Sequence, residues 1–121
     1  MFGLFRKKTP IDFSEENLHE LARKSDTLGQ ILMDNGFGFF VDYLSEIRLA
    51  ADNKDEEKFK KLVISRELFG GAGALWEIHI ENDSEYLKFN RQFSEYVDLL
   101  VRMGIRHGRV RQIRRTMPKL R

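Results

Sequence analysis

The chain contains no cysteine. Disulfides, thiolate nucleophiles and cysteine-ligated zinc are therefore excluded. It has two prolines and nine glycines, in no repeating pattern, which excludes collagenous and low-complexity architectures. No apolar run approaches the roughly 18 residues that a membrane-spanning helix needs. The start does not read as a secretory signal. Its apolar stretch, Phe2 to Phe5, is too short, and the cations Arg6, Lys7 and Lys8 follow it instead of preceding it. Phe2 also breaks the myristoylation pattern. Two phenylalanines and a leucine beside three cations suit weak contact with an anionic membrane surface, and a frayed terminus has the same composition.

What is present fits one soluble domain. The chain has 121 residues, 41% hydrophobic and 33% charged, enough of the first for a core and of the second for a wet surface. The net charge of +2 conceals three blocks. Residues 1–8 carry +3, residues 9–101 carry −9 with every acid of the chain, and residues 102–121 carry +8. An acidic body with a basic end suggests an anionic partner or self-docking, and the plainer reading is that end and body neutralise each other.

Periodicity predicts a mainly α fold, a single-domain bundle of about four helices with a short extended segment near 75–81. The first helix spans 12–34. Asp12 or Ser14 caps it, Glu15 and Glu16 fill its first turn, and Leu18, Leu21, Ala22, Leu28, Ile31 and Leu32 form its stripe. Asn35-Gly36 stops it. The second helix, 38–51, is striped by Phe40, Val41, Leu44, Ile47 and Ala51. Phe37, Phe39 and Tyr43 make its start apolar nearly all round, which predicts burial. Asp52-Asn53 caps a third helix over 54–68, with Phe59, Leu62, Val63 and Phe69 inward. Gly70-Gly71-Ala72-Gly73 breaks that helix in a structural turn made by Gly70, Gly71 and Gly73. Trp76, Ile78 and Ile80 then alternate with Glu77, His79 and Glu81 as in a strand, ended by Asn82-Asp83, with Leu75 falling on the polar side. Ser84 caps the last helix, 84–107, about 36 Å long, whose stripe is Tyr86, Phe89, Phe93, Tyr96, Leu100, Met103 and His107. These boundaries give a flexible N-terminus at 1–11, a helical domain at 12–107 and a basic tail at 108–121.

No complete catalytic constellation is legible, and no cofactor is implied. Glu16 and His19 have the Glu-x-x-His spacing of di-iron bundles but stand alone. Arg23 replaces the second histidine of a zinc-protease motif after His19-Glu20, and arginine cannot ligate zinc. The glycine segment lacks the third glycine of a dinucleotide loop and the Gly-Lys-Ser/Thr of a phosphate loop. No serine sits in G-x-S-x-G, and the histidines are scattered at 19, 79 and 107. Glu77, His79 and Glu81 are the metal ligands to choose if a metal binds anywhere; the wet side of a strand looks the same. Arg102, Arg106, Arg109, Arg111, Arg114 and Arg115 form the anion-binding candidate, with the first three on one helix face. No aromatic residue follows Tyr96, which excludes base stacking by the tail.

Phe69-Gly70-Gly71-Ala72-Gly73-Ala74-Leu75-Trp76-Glu77-Ile78 resembles the F-G-G-x-G-[SA]-[LF]-x-[DE]-[LI] block of a family of small uncharacterised bacterial proteins. The resemblance spans about residues 28–100. It implies helices before the block, a charged helix after it, and a bacterial, cytoplasmic setting. Ala74 stands where serine is commoner, which removes a catalytic hydroxyl at that position, and Glu77 stands where aspartate is commoner.

The sequence thus predicts a non-enzymatic protein–protein interaction module. Its partner is another protein or a second copy, the latter through the 84–107 stripe or the 75–81 edge. The alternative is nucleic-acid backbone binding through the basic C-terminal segment.

Overall fold

A computed structural model describes residues 10–64 and 75–105. The architecture is mainly helical, and the described residues form four α-helices: α1 Glu15–Asp34, α2 Phe39–Asp52, α3 Glu56–Val63 and α4 Asp83–Met103. Helix α1 packs against both α2 and α4, and α3 packs against α2.

Helix α1 starts where two short polar side chains meet its free amides. The Ser14 hydroxyl accepts from the Asn17 N–H at 3.3 Å, while the Asp12 carboxylate accepts from the Ser14 N–H at 3.0 Å, so Ser14 is the cap. Leu21, Leu28, Ile31 and Leu32 are buried as the stripe requires, and Leu18 packs at the margin. The helix ends as Gly36 turns to φ +85° and the Phe37 N–H reaches back to the Leu32 carbonyl at 2.8 Å.

Helix α2 buries Phe40, Leu44, Ile47, Ala50 and Ala51. The expected all-round burial of its start does not occur. Phe39 is 68% exposed and Tyr43 is half-buried, because the first turn of α2 meets its neighbours on one side only. Tyr43 still donates from its hydroxyl to the Leu62 carbonyl at 2.6 Å, tying α2 to the end of α3.

The start of α3 differs from expectation. Asn53 closes α2, Lys54 follows at φ +54°, and the Asp55 N–H returns to the Ala50 carbonyl at 2.9 Å. With Asn53 and Lys54 used in that reversal, Asp55 becomes the cap and accepts from the Lys58 N–H at 3.2 Å. Phe59 and Val63 are buried; Phe69 lies outside the described residues.

The expected strand is absent among the described residues. Leu75–Glu77 is a 3-10 turn and the chain onward to Ile80 has no regular structure. The burial alternation survives from Glu77 to Glu81, with Ile78 and Ile80 inside and Glu77, His79 and Glu81 outside. Leu75, which a strand would turn to water, is fully buried because the tighter turn changes its phase.

Helix α4 is capped by Asn82, whose side-chain oxygen accepts from the Glu85 N–H at 2.9 Å, and not by Ser84. Its 21 residues make about 31 Å. It stops at Met103, short of His107, because Gly104 takes φ +124° and the Ile105 N–H bonds back to the Leu100 carbonyl. Phe89, Phe93, Tyr96, Leu100 and Met103 are all buried, and Phe89 stacks on Phe93 at 5.6 Å.

Ile11, assigned by sequence to a flexible start, belongs to this core. The Asp12 N–H donates to the Met103 carbonyl at 2.8 Å, and Ile105 is buried as well.

Candidate interaction surface

The surfaces suggested for self-association are largely consumed within one chain. Between Phe89 and Met103 the α4 stripe faces α1 and the rest of the core, with no rung left to offer a partner. The 75–81 segment presents no strand edge, and Ile78 and Ile80 point inward.

Glu77, His79 and Glu81 are all exposed on the side of the chain away from the core. The His79 ring instead lies edge-on to Tyr86 at 4.6 Å. Among the described residues no three histidine or carboxylate side chains converge as a metal site. Glu16 and His19 stand on the exposed side of α1. Gly70, Gly71 and Gly73 lie outside the described residues, as do Arg106, Arg109, Arg111, Arg114 and Arg115. Arg102 is exposed in the last turn of α4, where the helix dipole favours a cation. The shared face for Arg102, Arg106 and Arg109 does not form on α4, because that helix ends at Met103.

The surface that remains is the outer seam between α1 and α2. Residues at three- and four-residue steps face each other there: Ser25, Gly29 and Met33 on α1, Val41, Leu44 and Ser45 on α2. They line an open groove of about 180 Å³. A methyl group added at Gly29 would lie 3.8 Å from Val41, an ordinary contact distance, so the two helices face each other closely there. Met33, 59% exposed, extends its thioether over Gly38, and the next residue is the exposed Phe39. The Phe39 ring packs on Phe40 at 4.5 Å and near Phe37 at 6.2 Å, which fixes it at the corner. Polar pairs flank the seam: Arg48 to Asp26 at 3.2 Å, and Gln30 to Asp34 at 2.9 Å.

Sequence reasoning missed this face because it followed the stripes. The available signal was apolar residues out of phase with them. Met33 falls off the α1 stripe, and Phe37, Phe39 and Phe40 together exceed what one side of a helix start can bury.

Behind the groove, α1 and α4 are joined by polar contacts at several levels. Lys24 bonds Glu95 at 3.1 Å and Glu20 at 3.6 Å. Glu20 also pairs with Arg23, and that hydrogen bond, ahead of the charge of Lys24, holds its carboxyl below the usual value. Asn35 donates to Glu85 at 3.0 Å and to the Ile31 carbonyl at 2.8 Å. Lys88 first, then Asn35, lowers the Glu85 carboxyl. Deeper in, burial pushes the Tyr96 phenol well above 10, an effect tempered by the nearby Ser25 hydroxyl. Neither the Tyr96 nor the Ser25 oxygen makes a well-formed hydrogen bond.

Comparison with protein-family models, curated proteins and solved structures found no match.

Proposed function

We propose that the chain is a non-enzymatic protein–protein interaction module that self-associates through the α1–α2 seam. The observation that carries the reading is the exposure of two large apolar side chains at this end of the molecule: Met33, 59% exposed, lines the seam groove and lies over Gly38, and Phe39, the next residue in the chain, is 68% exposed. An exposed apolar side chain near a groove of mixed polarity suits a two-fold contact, in which each copy offers its aromatic ring to the other's groove. Aromatic and methionine side chains with polar pairs around them also match the composition of interface centres and rims. A single exposed apolar residue would need no explanation; a cluster against a groove does. The resemblance at residues 69–78 supports a bacterial cytoplasmic setting.

The test is sedimentation of the full chain over a concentration series. Self-association is expected, weakened at least about tenfold by Phe39→Ser, as for a residue at an interface centre. Since Phe39 is mostly in water already, the helical circular dichroism of the variant should match the parent. A monomer at every concentration overturns the proposal.

A further inference from the structure

We propose that the outer face of α2 docks a basic amphipathic helix of a partner protein.

Six residues of α2 are exposed: Phe39, Asp42, Ser45, Glu46, Leu49 and Asp52. At about 100° per residue they fall within a single arc of about 140°. That arc lies opposite the stripe of Phe40, Leu44, Ile47 and Ala51 that enters the core. Two of the six are large apolar side chains, Phe39 at 68% and Leu49 at 58% exposure. Ten residues apart, they stand about 15 Å from each other along the helix axis. One exposed apolar residue is ordinary on a surface, whereas two on one face of one short helix need a reason.

The charge of the face says which occupant fits. Three of the six exposed residues are carboxylates and none is a cation. The one cation of α2, Arg48, is half-buried and bonds Asp26 on α1 at 3.2 Å. Lys54 is exposed two residues beyond the helix, where it offsets Asp52. Asp42 and Glu46 lie between Phe39 and Leu49, and among the described residues neither pairs with a cation.

A second copy laying the same face here would set Asp42 and Glu46 against their own counterparts, and like charges oppose that contact. Anionic headgroups and a phosphodiester backbone meet the same repulsion. A cationic protein segment is attracted instead, and it can cover Phe39 and Leu49 at the same time. A helix has the right dimensions. Apolar side chains at three- and four-residue steps span 15 Å in about ten residues, and lysines or arginines beside them reach the two carboxylates. The face adjoins the seam groove at Ser45 and shares Phe39 with the self-contact, but Asp42, Glu46 and Leu49 line no part of the groove. The docking face therefore stands without the seam.

The test is NMR titration of the full chain with a peptide of about 18 residues, leucine at three- and four-residue steps and lysine or alanine elsewhere. Binding is expected to shift the amides of α2. Leu49→Ser should weaken it at least tenfold. Asp42→Asn with Glu46→Gln should weaken it about tenfold at low salt and remove most of its salt dependence. Glu15→Gln with Glu16→Gln, the same loss of charge on α1, should leave the affinity within about twofold. A peptide of the same composition with its leucines scrambled should bind at least tenfold more weakly. The substituted side chains are all exposed, so the helical circular dichroism of each variant should match the parent. Absence of binding overturns the proposal. So does equal weakening by the Glu15 and Glu16 pair, or equal binding of the scrambled peptide, either of which reduces the effect to diffuse attraction. Leu49→Ser that abolishes self-association in sedimentation while peptide binding persists assigns the face to a second copy and overturns it too. Tighter binding at the same amides by a peptide copying residues 106–121, which carries seven cations, assigns the face to this chain's own end, with the same consequence.

Discussion

Tyr96→Phe should stabilise this protein, against the usual sign of a core substitution. Tyr96 is completely buried on α4, and its hydroxyl faces a Ser25 hydroxyl that is likewise without a well-formed bond. A buried hydroxyl left unpaired costs about 1–3 kcal/mol relative to water. Phenylalanine keeps the ring and its packing and leaves only a hydroxyl-sized gap. The net expectation is a gain of about 1 kcal/mol at neutral pH, raising the unfolding midpoint by about 3–6 °C in a domain of this size. Tyr43→Phe is the control: it removes a 2.6 Å bond to the Leu62 carbonyl and should cost about 1 kcal/mol. Alkali sharpens the test. Because burial raises the Tyr96 pKa above its unfolded value of 10.0, the neutral phenol's contribution is complete below pH 10 and is lost as pH rises toward the folded value. At pH 11 the unfolded chain gains about 1.4 kcal/mol from ionising this one group, a gain the phenylalanine variant cannot make. The advantage of the variant should therefore widen by about 1.4 kcal/mol between pH 7 and pH 11 in urea titrations. A variant less stable than the parent by 1 kcal/mol at pH 7, or a difference that does not change with pH, refutes the reasoning.

Gly104→Ala should lower stability by about 2–3 kcal/mol in thermal unfolding, since it adds left-handed backbone strain at φ +124° to a methyl crowded by Pro10 and Ile11. Gly36→Ala, at φ +85° with nothing within 4 Å, should cost only the strain, about 1 kcal/mol. Asn82→Ala and Asp55→Ala should each cost about 1 kcal/mol in urea titrations, whereas Ser84→Ala and Asn53→Ala should cost less than half of that, since neither caps the helix assigned to it from sequence. The lowered carboxyls of Glu20 and Glu85 contribute stability that is complete above pH 4.5 and lost as pH falls through their folded values, so Glu85→Gln should flatten the acid limb of the stability profile.

Where a stripe faced the core along its whole length, the sequence was readable. Leu21, Leu28, Ile31 and Leu32 on α1 and Phe89 through Met103 on α4 repeat at helical steps, and all are buried. Helix ends were less legible, because several residues near each end have capping chemistry and the backbone reversal chooses among them. Lys54 at φ +54° is the clearest case: no side-chain preference marks a lysine for that conformation, yet it moves the cap from Asn53 to Asp55. The alternation from Glu77 to Glu81 reported burial correctly and structure incorrectly. A period of two needs only an extended chain with one side against a core, and a strand needs a partner for its amides as well. The interaction seam was hidden for a related reason. A stripe marks what a helix buries, and Met33 and Phe39 are visible only as the apolar residues left over.

The junction at Gly104 shows how a packing turn brings together parts of the chain that are remote in sequence. Charge blocks along a sequence state how much cation lies at each end, and nothing about whether the ends meet. That Pro10 and Ile11 meet Gly104 depends on Gly104 ending α4 at φ +124° and on Ile11 filling the space against it, both short-range requirements of packing that no charge count reveals.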